Sequence, residues 1–119
     1  MSDFAALVKS ERSVSVCLCV DGPEILAIGD KMASVCPEAY MNGYNWEAFF
    51  RYYLNKHAPD LLEGMDTDPE AGMYAAFWPL SPENEARAEK FLALIRSLLK
   101  DEVELCRIVE EHGDEIEWD

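Results

Sequence analysis

Val14, Val16, Leu18 and Val20 alternate with Ser13, Ser15, Cys17 and Cys19. Period-two alternation in which both sets are small or apolar predicts a strand buried on at least one face. Asp21-Gly22-Pro23 is turn chemistry, and Ile25-Leu26-Ala27-Ile28, closed by Gly29, reads as a second short strand. The two are expected to form a hairpin. Residues 29–44 are less regular: Asp30 to Cys36 admits a short helix, while Pro37, Asn42 and Gly43 point to irregular backbone.

At Asn45 the period changes. Trp46, Phe49, Phe50, Tyr53, Leu54 and His57 fall on one helical stripe, with Glu47, Arg51, Asn55 and Lys56 opposite. Asn45 is a good capping type, Glu47 suits the first turn, and the helix should end before Pro59. Asp66 to Gly72 is a turn-rich bend. Met73 to Trp78 follows as a strand, with Met73, Ala75 and Phe77 on one face and Tyr74, Ala76 and Trp78 on the other, ended by Pro79. Ser81-Pro82-Glu83 is a helix start, and Ala88, Phe91, Leu92, Ile95, Leu98 and Leu99 form the buried stripe. Val103, Cys106 and Val109 extend the pattern as a second helix or a bent continuation, stopped by Gly113. Ile116 and Trp118 alternate with acids in the tail and suggest a short edge strand. The sum is one α+β domain over residues 1–119, a small, largely antiparallel sheet with helices packed on it.

Charge changes this picture most. The chain carries 24 acids against 10 bases, net −14. The second half, residues 61–119, holds 16 of those acids, and residues 101–119 set 9 acids against Arg107 alone. A field of this sign repels nucleic acid and anionic membrane and attracts basic proteins. Direct nucleic-acid and membrane binding are therefore not expected. The same charge also fits a protein that is merely soluble, since net charge governs solubility and association rather than fold. Met1-Ser2-Asp3-Phe4 lacks the basic and apolar regions of a signal peptide, so a cytoplasmic location with reduced thiols is expected.

Candidate chemistry is sparse. Cys17 and Cys19 share one strand face, Cys36 and Cys106 are isolated, and no C-x-x-C or zinc-finger histidine spacing occurs. The thiols read as buried small hydrophobes. His57 reads as a core or boundary histidine because it extends an apolar stripe. Asp66, Asp68 and Glu70 resemble a calcium loop, but its sixth and twelfth positions would be Ala71 and Phe77 rather than glycine and an acid. A turn accounts for them better, with a weak divalent site left open. No glycine-rich phosphate loop or G-x-S-x-G is present, and no cofactor is expected. The aromatic density of residues 40–53 reads as core or as the lining of a pocket. Tyr44 and Tyr52, which lie off the helical stripe, are candidates for exposed contacts.

Asn42-Gly43-Tyr44-Asn45-Trp46-Glu47-Ala48, followed by Asp68-Pro69-Glu70-Ala71-Gly72-Met73, resembles immunity protein family 51 of bacterial polymorphic toxin systems. In that family an N-G-Y-x-W helix start precedes a D-P-E-A-G-M turn and a C-terminal helix. The similarity covers roughly residues 14–100. It implies a non-enzymatic intracellular protein that blocks a cognate toxin C-terminal domain by binding it. Asn42, Gly43, Tyr44, Trp46, Asp68, Glu70 and Gly72 carry over as motif positions, read as mainly structural. Many toxin domains are nucleases with a basic groove, which an acidic surface can occupy with fast, salt-sensitive association. The contact candidates are Asp101, Glu102, Glu104, Glu110, Glu111, Asp114, Glu115 and Glu117, with Trp118 as aromatic anchor and Tyr44 and Tyr52 beside them. The rival readings are a small carboxylate- or metal-dependent enzyme using Asp66, Asp68 or Glu70 with His57, and a self-associating module whose aromatic stretch is a homodimer face.

Overall fold

The computed structural model describes residues 4–119, and its centre is the alternating segment. Strand β2 (Ser13–Cys19) buries Val14, Val16 and Leu18 on one face and turns its serines and cysteines to the other. Strand β1 (Ala5–Lys9) pairs with it antiparallel, Ala5 opposite Leu18 and Lys9 opposite Val14. This strand is too short and mixed to announce itself by period.

The expected hairpin does not form. Residues Pro23–Val35 are helix α1. Ile25, Ile28, Gly29 and Met32 are its buried side, at spacings of three and four, while Leu26 is 46% exposed. A four-residue apolar run cannot distinguish strand from helix. Proline and Glu24 in the first turn favour the helix. The place beside β2 is taken by the later strand Met73–Pro79, and the short helix read over Asp30–Cys36 is the second half of α1.

Helix α2 (Gly43–His57) begins earlier than the stripe suggests. Asn42, not Asn45, is the cap, its side-chain oxygen accepting from the Asn45 amide at 2.9 Å. Glu47 therefore lies beyond the first turn. Trp46, Phe49, Phe50 and Leu54 are fully buried, so the stripe of the aromatic stretch is core, while Tyr40 and Tyr44 are exposed and Tyr52 is half-buried. The stripe ends at His57, which is exposed and leans on the Tyr53 ring at 4.5 Å. A single 3₁₀ turn (Pro59–Leu62) follows, as Pro59 requires.

Strands β3 (Asp66–Thr67) and β4 (Met73–Pro79) complete an antiparallel sheet in the order β1-β2-β4-β3. Tyr74, Ala76 and Trp78 sit beside Leu18, Val16 and Val14 and face the helices. Helix α3 (Pro82–Leu99), capped by Ser81, lays Ala88, Phe91 and Ile95 across that face. The Phe91 ring stands edge-on to Phe50, Tyr74 and Trp78 with centroids 5.4–6.3 Å away. Helix α4 (Glu102–His112) is a separate helix with its own cap at Asp101, and it buries Leu105, Ile108 and Val109. The α+β expectation holds, and the sheet is antiparallel throughout.

The tail is not a strand. A 3₁₀ turn (Gly113–Glu115) folds it back, Ile116 is buried, and the Trp118 indole donates to the Gly113 carbonyl at 3.0 Å. Both apolar residues pack with the core, and the Asp119 amide ties the chain end to Asn45 of α2. On the sheet face opposite the helices Ala6, Cys17, Ala75 and Asp68 align in one row, and Val8, Ser15, Phe77 and Asp66 in the next. Cys19 is exposed, not buried as its strand position suggested, because its parity places it on this face.

Candidate functional site

The two sequence motifs meet each other. Gly43 donates its amide to the Ala71 carbonyl at 3.1 Å, and a side chain there would lie 1.8 Å from the Glu70 carbonyl oxygen. Glu70 and Met73 bridge one another across the turn, and the Val20 amide binds the Gly72 carbonyl at 2.9 Å. Asp68 donates its amide to Ala75, and Trp46 stacks on Phe50 at 5.5 Å. The motif thus lodges the first turn of α2 in the bend between β3 and β4. Asn45 is 3% exposed and joins both sides. Its amide nitrogen donates to the Tyr40 carbonyl at 2.8 Å, and its oxygen accepts from the Asp119 amide at 2.7 Å. Tyr44 points out of this junction, 40% exposed.

Asp66, Asp68 and Glu70 are exposed along β3 and its turn, and Asp66 accepts from the Thr67 amide at 3.0 Å. They do not converge on His57. Among the described residues no three His, Cys, Asp or Glu side chains come together as a metal site would need. Burial raises the Cys17 and Cys106 thiols, and Cys19 adds to the effect at Cys17, so neither is activated as a nucleophile.

The acids of residues 101–119 divide into two groups. In the first, Asp101 caps α4, Glu102 pairs with Lys31 of α1, and Arg107 binds Glu104 at 2.6 Å and Glu111 at 3.2 Å. The Arg107 hydrogen bond holds the Glu104 carboxyl below its ordinary range, and Arg107 itself is held protonated more firmly. In the second group Glu110, Asp114 and Glu117 are exposed, and no ion pair engages them among the described residues.

Tyr52, Glu115 and Glu117 line one groove. It has a volume of about 250 Å³ and runs between α2 and the tail, with Ala48, Arg51, Asn55 and Lys56 on its other wall. Glu115 receives His112 at 2.6 Å and Lys56 at 3.6 Å, and the His112 hydrogen bond lowers the carboxyl. Tyr52, which is half-buried rather than exposed, lies beneath the Lys56 ammonium at 5.7 Å and against the His112 ring at 6.0 Å. Trp118 is half-buried and packs on the core. The cationic wall went unread in the sequence: Arg51, Asn55 and Lys56 looked like an ordinary solvated helix face. The groove offers both charges and an aromatic floor, which suits docking of protein side chains.

The family profile described as Immunity protein 51 matches residues 5–114. The chain belongs to the Immunity protein 51 family. The match reaches beyond the residues 14–100 that carry the sequence resemblance, taking in β1 and all of α4. No curated protein matches the chain, and no solved structure does. No helix of the described residues is long and apolar enough to cross a membrane.

Proposed function

We propose that the chain neutralises a cognate toxin domain by binding it, without catalysis, in the cytoplasm of the cell that makes the toxin. The toxin surface it meets is basic, as in a nuclease groove. Family membership supports the immunity role. The single observation that carries the acidic mode is the second group of carboxylates, Glu110, Asp114 and Glu117, exposed and without an ion pair among the described residues, with Glu117 on the wall of the Tyr52 groove. Carboxylates already neutralised by Arg107, Lys31 or Lys56 must give up a partner to bind another, whereas these three need not. Asn42, Gly43, Trp46, Asp68, Glu70 and Gly72 act in this reading as the frame of the fold, with Tyr44 at its edge.

The test is co-expression with the toxin encoded beside the gene. Rescue of growth and co-purification of a complex are expected. Glu110→Lys, Asp114→Lys and Glu117→Lys together should slow association by about ten- to a hundredfold, and added salt should slow the wild-type protein in the same way. A purified protein that neither binds that toxin nor protects cells from it ends the proposal. Binding that is indifferent to the triple change removes only the acidic mode.

A further inference from the structure

Tyr40 is 73% exposed, more than any other aromatic ring among the described residues. Its backbone is nonetheless fixed. Ala39 and Met41 on either side of it are buried. The Tyr40 amide donates to the Glu38 carbonyl at 2.9 Å, and the Tyr40 carbonyl accepts from the Asn42 amide at 2.9 Å and from the Asn45 side chain at 2.8 Å. A ring held in water on an ordered backbone can be covered by a partner with little further loss of chain entropy. Single exposed rings are common and need no explanation. This one lines a cavity of about 110 Å³ between α1 and the residues that precede α2. Leu26, Ala33 and Met41 give the cavity an apolar lining, and Asp21 and Asp30 are its only charged residues. Both carboxylates are exposed, and among the described residues no ion pair engages either. Lys31, next to Asp30 in the chain, is taken by Glu102.

We propose that this cavity receives one arginine or lysine side chain of the toxin domain, with Tyr40 as the hot spot of that contact. The proposal rests on the toxin-binding reading and adds a second place of contact to it. Size and charge select the occupant. Pockets for small-molecule ligands run to about 300 Å³ and more, so a cavity of about 110 Å³ suits a single side chain. Two carboxylates without counter-ions attract a cation. The apolar lining takes the methylene stem of a lysine or arginine, and an aromatic ring beside it attracts the charged head. A second copy of the chain would bring a net charge of −14 towards the same two carboxylates and is repelled. Tyrosine is also among the residues most enriched at hot spots. The position agrees with the rest of the acidic surface. The loop that carries Tyr40 starts at Cys36, whose Sγ would lie 2.7 Å from a side chain at Gly113. At its other end Asn45 links the Tyr40 carbonyl to the Asp119 amide. The cavity therefore adjoins the tail that carries Asp114 and Glu117, and one basic partner can engage both.

The test measures association and dissociation of the full chain with the toxin domain encoded beside its gene. Tyr40→Ala should weaken the complex by about thirtyfold or more, as loss of a hot spot does, chiefly through faster dissociation. Tyr40→Phe keeps the ring and should bind as the wild type does. Asp21→Asn with Asp30→Asn keeps the shape of the cavity, removes its charge, and should weaken binding about tenfold. Tyr40 stands largely in water, so Tyr40→Ala should melt as the wild type does, and the asparagine pair keeps the test valid if it does not. Tyr40→Ala is then combined with alanine at each arginine and lysine of the toxin domain in turn. One of these should couple to Tyr40 by about tenfold, since residues in contact are not additive. A Tyr40→Ala chain that binds as tightly as the wild type overturns the proposal and leaves the toxin-binding reading standing. A wild-type chain that binds no toxin overturns both. Coupling of Tyr40 only to apolar or acidic residues of the toxin also overturns it. So does a dimer of the chain alone that Tyr40→Ala abolishes in sedimentation, which would give the cavity to a second copy.

Discussion

Gly43 shows how one residue can be fixed by a contact far away in sequence. Its backbone angle is not the constraint, because it sits in ordinary helical conformation and no non-glycine residue among those described has positive φ. The constraint is space: the Glu70 and Met73 carbonyl oxygens lie 1.8 and 2.2 Å from where a Cβ would go, and both belong to backbone that cannot swing aside. Gly43→Ala must open the junction between α2 and the β3–β4 bend, with loss of the Gly43–Ala71 hydrogen bond. We expect a loss on the order of 3–4 kcal/mol, as for severe overpacking, measured by denaturant unfolding. Gly22→Ala is the control. The nearest atom to a side chain there is 3.9 Å away, so the change should stay within about 1 kcal/mol. Equal effects at the two positions would show that general glycine entropy, not the contact, governs both.

At the scale of elements, legibility followed the length of the pattern. Helix α3 carries a capping serine, a first-position proline and a long stripe, and all of these signals agree with the structure. Helix α1 was misread because its apolar residues begin as a run of four, and only the Met41 contact at Gly29 and the packing on α4 show which way they face. Helix α2 starts earlier than its stripe because Asn42 caps it, and Gly43 opens it where the bend leaves no room for a side chain. Helix α4 carries a testable pH dependence. Glu104 has its carboxyl lowered by Arg107, so the pair contributes above the unfolded carboxylate value of about 4.3 and fades as pH falls through the lowered folded value. Arg107→Ala should therefore destabilise the protein at pH 7 and make less difference at about pH 3, below the unfolded carboxylate value, where the folded-state advantage of the charged carboxyl is being lost. Thermal unfolding at the two pH values decides it. A loss that is the same at both would mean that Arg107 contributes through packing of its stem.

Across the whole molecule, the sequence disclosed the amount of charge but not where it is spent. Lys31 and Lys56 lie dozens of residues from Glu102 and Glu115, so local neutralisation of those acids was invisible before folding. The balance between the two kinds of charge effect can be measured. Arg107, Lys9, Lys31 and Lys56 all sit in solvent-exposed surface pairs, whose small effect salt weakens further. Against them stands the mutual repulsion of a chain with 14 more acids than bases, which opposes the compact state and is screened by the same salt. Exposed carboxylates without an ion pair among the described residues, such as Glu110, Asp114 and Glu117, place repulsion ahead. The melting temperature should therefore rise by a few degrees between about 0.02 M and 0.3 M sodium chloride, since about 1 kcal/mol shifts a domain of this size by roughly 4 °C. The melt must be run dilute, where self-association cannot contribute to the rise. A melting temperature that falls would mean the pairs outweigh the surplus. The acids of α4 and the tail would then be stabilising the fold, with no repulsion for a basic partner to relieve.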